Sequence, residues 1–302
     1  MSDYSHRFHA GNHGDVFKHA ALLLLLEAVT TAAGKAPLTY IETHSGEGRY
    51  TLGSTGEWTE GIGRLDAAPG AGDHPGASGF QRALIRAGAR RVPNRGGDYL
   101  GSPLLALGAL RPTDRVVLFE RNPEAATALR RAVAADKRAQ VEVGDGLAGL
   151  TSLLARLKPD DRPCVHLDPA YTEKEEWAAI AQSVAALHRT RPNAVSMLWY
   201  PIKSLTRPNT LHNDLRRLGV AAAAVELHVT PQEIKRNALH GSGLVLCNAP
   251  PALVPAVGAL AAWLGPFLAT HDGRYFVRTL GWAAPGGGWA APGGGWAAPA
   301  RT

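Results

Sequence analysis

The feature that most constrains this chain is a regular alternation of short β-rich runs with longer amphipathic stretches. Residues 37–43, 116–120, 140–143, 164–167 and 194–199 read as strands, with 222–229 and 243–247 as late strands. Residues 15–31, 123–137, 147–157, 173–188 and 211–218 read as helices between them. Strands alternating with helices predict an α/β fold, a mostly parallel sheet covered by helices on both faces. Ligands of such sheets sit beyond the carboxyl ends of the strands, so the residues that follow each strand carry the functional information.

Other properties narrow the class. The 302 residues are 45% hydrophobic and 19% charged, enough for one large domain with a buried core. The net charge of +6 favours a polyanionic partner such as nucleic acid. Two cysteines make no disulfide framework and fit a reducing, cytoplasmic setting. No signal peptide is read at the amino terminus, and the apolar run 20–26 is stopped by Glu27, which predicts a buried helix and no membrane.

The organisation reads as residues 1–50, the first part of the core; 51–101, a Gly- and Pro-rich insertion with a basic helix near 80–91; and 102–280, the rest of the core. In residues 281–302 the unit Gly281-Trp282-Ala283-Ala284-Pro285 recurs from Gly288 and from Gly295, and such a tail is expected to be disordered.

The strand ends point to chemistry. His44-Ser45-Gly46-Glu47-Gly48 follows the first strand, where glycines let the backbone approach a ligand or simply form a tight turn. Glu120 ends the second, placed to accept from the ribose hydroxyls of an adenosine-containing cofactor. Asp145-Gly146 follows the third. Asp145 can accept from an adenine amine, cap the next helix, or both, while Gly146 leaves room for the ring.

Asp168-Pro169-Ala170-Tyr171 follows the fourth strand and is the strongest signal. The exocyclic amine of adenine is a poor nucleophile because its lone pair is delocalised into the ring. Acceptors on both N–H groups, Asp168 and the Pro169 carbonyl, localise that pair. Tyr171 offers a face on which an extruded base can stack. The alternative is an ordinary strand-to-helix turn, which Asp-Pro commonly opens. Ser102, before the second strand, can cap a helix starting at Pro103 or bind the amino-acid end of the cofactor.

Four histidines crowd residues 4–19, but their spacing matches neither H-E-x-x-H nor a zinc finger, so no metal is expected. That amino-terminal string, Tyr4-Ser5-His6-Arg7-Phe8-His9-Ala10-Gly11-Asn12-His13, is distinctive. Together with Thr43-His44-Ser45-Gly46-Glu47-Gly48-Arg49-Tyr50, Gly101-Ser102-Pro103, Asp145-Gly146, Asp168-Pro169-Ala170-Tyr171, Leu198-Trp199-Tyr200-Pro201 and Ser242-Gly243, it resembles the bacterial 23S ribosomal RNA adenine-N6 methyltransferases of the RlmJ family.

The resemblance, over residues 1 to about 280, implies a Rossmann-like S-adenosylmethionine-dependent methyltransferase core with a small helical insertion. It implies that His19, His44, Ser102, Glu120, Asp145 and Gly146 contact S-adenosyl-L-methionine, with Lys18 close by. Asp168 is then the catalytic residue and also touches the cofactor, assisted by Pro169 and Tyr171, while Tyr4 and His6 touch the RNA. The implied partner is 23S ribosomal RNA, modified at nucleotide 2030 in the family's usual numbering by a cytoplasmic monomer. Two positions depart from the family pattern. Ala170 stands where a second proline is usual, and Glu42 where Asp is usual, so its longer side chain is expected to reach the cofactor amino group differently.

Arg82, Arg86 and Arg90 recur every four residues and line one helix face, a candidate phosphate clamp or a merely solvated face. Competing readings are a DNA adenine methyltransferase, which shares the D-P-x-Y chemistry, and a non-catalytic RNA-binding relative. A cytosine-C5 enzyme built on Pro163-Cys164 is disfavoured because that cysteine lies before the strand's carboxyl end, and a dinucleotide oxidoreductase because the first glycine loop is too short.

Overall fold

The computed structural model describes residues 6–68, 78–80, 82–83, 91–92, 96–234, 238–283 and 296–297. Twelve strands are formed among them: β1 Leu38–Glu42, β2 Arg49–Leu52, β3 Arg91–Val92, β4 Gly96–Leu100, β5 Arg115–Glu120, β6 Ala139–Val143, β7 Arg162–Leu167, β8 Val195–Ile202, β9 Ala222–His228, β10 Gly241–Cys247, β11 Tyr275–Trp282 and β12 Trp296–Ala297. The helices are α1 His13–Ala33, α2 Ile62–Ala67, α3 Ser102–Ala109, α4 Pro123–Val133, α5 Gly146–Arg156, α6 Glu176–Thr190, α7 Thr206–Arg217 and α8 Leu253–Leu268, with 3-10 turns at His6–Phe8 and Glu57–Glu60.

Nine strands make one sheet in the order β12-β11-β9-β10-β8-β7-β1-β5-β6. β6, β5, β1, β7 and β8 are mutually parallel, and β10 enters antiparallel between β8 and β9. β1 is the middle one of these five parallel strands and all five of its residues are buried, as a strand covered on both faces requires. One apolar cluster fills the face under α1, α3, α4 and α8, and a second fills the face under α5, α6 and α7. The predicted α/β architecture is therefore observed, with β7 beside β1 so that their carboxyl ends open into one cleft.

α1 explains how a helix with the length and apolarity of a membrane span serves as a core element. Asn12 caps it by accepting from the Asp15 backbone N–H at 2.9 Å, and Gly34 ends it with φ of 58°. Leu22, Leu25 and Leu26 are fully buried, so the run 20–26 is interior as the sequence suggested. The same burial extends to Asp15, Lys18 and His19, which marks that part of the helix as more than packing.

Several expectations need correction. The inserted stretch is not simply helical: β2, β4 and β3 form a separate antiparallel sheet, and Gly101 N–H donates to the Gly48 carbonyl at 2.8 Å, closing the insertion where it leaves and rejoins the core. Its short strands carry too little alternation to be read from sequence. Arg91, placed in the basic helix, belongs to β3. Arg82 is exposed on a helical stretch, while Arg86, Arg90 and Tyr4 lie outside the described residues.

The core also runs past residue 280. Gly281 and Trp282 finish β11, paired with Ala223 and Ala222, and the Trp282 indole N–H donates to the Val220 carbonyl at 2.9 Å. Trp296 pairs with Phe276 in β12, and most of the remaining repeat lies outside the described residues. α8 and β11 escaped the sequence reading because α8 contains Pro266 and two glycines. Gly265 is required there: a Cβ would meet the Tyr275 ring at 2.1 Å.

Candidate functional site

The carboxyl ends of β1, β5, β7 and β8 and the first turns of α1 enclose a cleft of about 2170 Å³. That is more than twice the ~1000 Å³ at the upper end for a single small ligand. Lys18, His19, His44, Ser102, Glu120, Asp145, Gly146, Asp168, Pro169 and Tyr171 all line it, and so does His6. Residues spread over 166 positions, from His6 to Tyr171, are thus brought to one place by the sheet topology.

The centre of the site is an ionic chain. Lys18 Nζ lies 2.5 Å from Asp168 Oδ2 and 2.8 Å from Asp15 Oδ1. Asp15 Oδ2 in turn accepts from the Gly11 N–H at 2.9 Å and faces His6 Nε2 at 2.8 Å. Burial alone would raise the Asp168 pKa, but Lys18 outweighs it and holds the carboxyl below its ordinary value. Asp15 is held well below for the same reason, and Lys18, though buried, is raised by its two carboxylates. Among the described residues only Lys18 reaches the Asp168 carboxylate, through Oδ2, so Oδ1 remains an open acceptor. Asp15 was not recognised from sequence as a site residue. Its i, i+3 spacing from Lys18 on a buried helix was the available signal.

His19 and His44 are neutral. Burial pushes His19 down to about 3 and His44 to about 4, so both serve as uncharged hydrogen-bonding groups. His19 Nδ1 lies 2.7 Å from the Tyr99 hydroxyl, and His44 Nδ1 2.8 Å from Thr43 Oγ1. The amino-terminal histidines each have a separate partner: His6 faces Asp15, His9 faces Glu57 at 3.0 Å, and His13 faces the Leu239 carbonyl at 3.1 Å.

Glu120 anchors the first loop. Its Oε2 accepts from Gly46 N–H at 2.8 Å and its Oε1 from Asn122 N–H at 2.7 Å, which leaves each oxygen a second lone pair toward the cleft. Gly46 has φ of 61°, and a Cβ there would meet the Tyr50 hydroxyl at 2.2 Å. Asp145 caps α5 through Oδ1, at 3.0 Å from Leu147 N and 2.9 Å from Ala148 N, leaving Oδ2 available. The predicted reason for Gly146 changes: a Cβ would meet the Thr43 carbonyl at 1.8 Å, so the glycine lets α5 start against the end of β1.

Ser102 does not cap α3, whose N-cap is Gly101; its hydroxyl donates to Glu42 instead. Glu42 is fully buried, with the Tyr40 hydroxyl donating to Oε2 at 3.2 Å and His166 Nδ1 at 3.3 Å from Oε1. Within the protein, three side chains of the core therefore surround the Glu42 carboxylate.

Tyr171 takes φ of 54°, a left-handed conformation uncommon for a non-glycine residue and frequent at functional turns. Its hydroxyl donates to the Trp199 carbonyl at 2.9 Å, and its ring centroid lies 4.2 Å from that of Trp177. One side of the expected stacking face is thus occupied by Trp177. Trp199 also carries the Lys18 ammonium 5.4 Å from its ring. Cys164 is buried within β7, its thiol pushed up to about 12, which is inconsistent with a nucleophile.

The donors and acceptors at these strand ends suit an adenosyl cofactor. Among the described residues, the Ser45 hydroxyl in the β1 loop is buried without a hydrogen-bond partner, and the carboxylates of Glu120 and Asp145 lie at neighbouring strand ends. Comparison with known proteins agrees. Residues 35–283 match the family described as ribosomal RNA large subunit methyltransferase D, RlmJ. The chain is 32% identical over 274 residues to ribosomal RNA large subunit methyltransferase J of Escherichia coli (strain K12), covering 87% of this chain and 93% of that one. It is 33% identical over 266 residues to the protein of the same name from Haemophilus influenzae, covering 83% and 88%. A solved protein of Legionella pneumophila, LPL1258, superposes with a TM-score of 0.78 at 25% identity, covering 92% of this chain and 99% of that one. On sequence and fold together, the chain belongs to the RlmJ family of methyltransferases.

Proposed function

We propose that this methyltransferase modifies the N6 amine of an adenine in 23S ribosomal RNA, acting as a cytoplasmic monomer on a base extruded into the cleft. The observation that carries the reading is the Asp168 carboxylate, held ionised by Lys18 at one oxygen and open at the other. The names of the Escherichia coli and Haemophilus influenzae relatives support the ribosomal RNA substrate.

The methyl donor is S-adenosylmethionine, which supplies an electrophilic methyl group on a sulfonium. Glu120 and Asp145 would hold its adenosine half, and His44 and the Ser45 loop its remainder. Asp168 Oδ1 accepts one N–H of the adenine amine and the Pro169 carbonyl the other, which turns the nitrogen lone pair out of conjugation and toward the methyl carbon. When bound, the cofactor would give up its methyl group and keep the S–C bonding pair on sulfur, which would leave the attacking nitrogen acidic. A carboxylate of depressed pKa acts mainly as an acceptor that orients the amine, and it takes up the proton only once the nitrogen carries positive charge. The Tyr171 turn, tied to Trp199, fixes the Pro169 carbonyl despite the alanine at 170.

The test is methyl transfer from labelled S-adenosylmethionine to unmodified 23S RNA, with the Asp168→Asn variant and duplex DNA alongside. Label recovered as N6-methyladenosine in RNA, and lost in the variant, is expected. Label in another base, or equal label in DNA, would sink the reading.

A further inference from the structure

The described residues expose four large apolar side chains: Phe8 at 58%, Val143 at 45%, Leu205 at 42% and Ile234 at 40%. Isolated exposed apolar residues are unremarkable, but two of these four line the cleft and a third adjoins residues that line it. Phe8 and Ile234 line the cleft, and Leu205 sits between Ser204 and Arg207, which also line it. Val143 is elsewhere, at the end of the outer strand β6.

Phe8 and Leu205 mark two lips, and Ile234 lines the cleft from the connection between β9 and β10. The turn His6–Phe8 forms one lip, tied down by the His6–Asp15 contact. The connection from β8 to α7 forms the other, and β8 is the strand next to β7, from which Asp168 projects. Glu57 raises the His9 pKa on the first lip, and the positive charge of Lys203 on the other opposes that protonation. Lys203 and Arg207 both line the cleft, and no ion pair holds either of them among the described residues. Arg7, by contrast, is held by Glu47 at 2.9 Å.

We infer that this mouth is the binding surface for the single-stranded nucleotides that flank the target adenine, with Phe8, Leu205 and Ile234 packing on the neighbouring bases and Lys203 and Arg207 holding their phosphates. The inference rests on the RNA reading given above. Extruding one base leaves its neighbours with an unstacked face, and apolar or aromatic side chains beside unpaired cations are what single-stranded RNA requires. A protein partner would use the apolar residues, but the two uncommitted cations beside them are better matched to phosphate. This places the RNA contacts on the lips of the cleft.

The experiment measures binding of unmodified 23S transcript to the full chain across a salt series, with S-adenosylhomocysteine binding and thermal melting as folding controls. Lys203→Ala with Arg207→Ala is expected to reduce the slope of log K against log salt by about 1.4, near 0.7 for each phosphate contact to a single strand. Phe8→Ala with Leu205→Ala is expected to weaken binding about tenfold at every salt concentration, with the slope unchanged. Both should bind S-adenosylhomocysteine as the parent does. An unchanged RNA affinity and slope in both double variants would overturn the inference. So would normal methylation of naked RNA by the variants with loss only on assembling ribosomal particles, which would assign the mouth to a protein. If the parent binds RNA through these residues but forms no N6-methyladenosine, the surface stands and the proposed reaction fails.

Discussion

Lys18 reaches from the second turn of α1 to place its ammonium 2.5 Å from Asp168, while a second bond, 2.8 Å to Asp15, fixes where that ammonium sits. The lysine is therefore a positioning residue whose charge sets the ionisation of the carboxylate. Replacing it by methionine keeps the stem and removes the charge. The Asp168 pKa, depressed in the parent, should then rise. The ionised form would be lost at a higher pH as acid is added, so the acid limb of the rate–pH profile should move upward. A maximal rate lowered about 100-fold is expected if the carboxylate also shifts by ~1 Å. An acid limb that stays in place would show that Lys18 does not control Asp168.

The same substitution should also be costly to the fold. It leaves two buried carboxylates without their shared cation, and breaking a buried pair costs about 3–5 kcal/mol. Urea unfolding at pH 7 measures the loss. A midpoint within error of the parent would mean that water replaces the ammonium.

His19 predicts a pH dependence of opposite origin. Its folded pKa of about 3 lies below that of a free imidazole, so below about 6.5 the unfolded chain binds a proton that the folded chain refuses. Stability from this group is complete above that range and falls as pH decreases toward 3. The slope is about 1.4 kcal/mol per pH unit. His19→Asn, which keeps an acceptor for the Tyr99 hydroxyl, should flatten the stability–pH curve between pH 6 and 4 by that amount. An unchanged slope would place the buried proton acceptor elsewhere.

Ser102→Ala tests the contact that replaced the expected helix cap. The variant withdraws a donor from a fully buried carboxylate, and leaving such an acceptor short costs about 1–3 kcal/mol. Chemical denaturation is the readout. Loss of only a few tenths would show that Tyr40 and His166 satisfy Glu42 by themselves.

Tyr171→Phe should lower stability by about 1 kcal/mol, because the Trp199 carbonyl loses its donor. The ring and its packing on Trp177 remain, so cofactor affinity measured by calorimetry should stay within twofold, whereas a looser turn should lower kcat. Equal kcat would remove the turn from the mechanism.

Much of this protein was legible in the order of its residues. Alternating hydrophobic periods specified the parallel sheet, and since ligands of such sheets lie at strand ends, Glu120, Asp145 and Asp168 could be picked out one by one. Local chemistry was legible too, as with the Asp145 cap on α5. What a side chain touches across the fold was not. Ser102 reads as a cap because Ser-Pro opens helices, and only the packing of α3 on the end of β1 gives its hydroxyl to Glu42, 60 positions away. Lys18 and Asp168 are 150 positions apart, and no local period encodes their meeting. The strands of the insertion and the close of β11 are likewise set by long-range pairing. Sequence periodicity determined which face of each element is apolar, because burial acts on every residue separately. The charge state of the site was decided by tertiary structure, because it depends on distances of a few ångströms between groups that only the assembled sheet brings together.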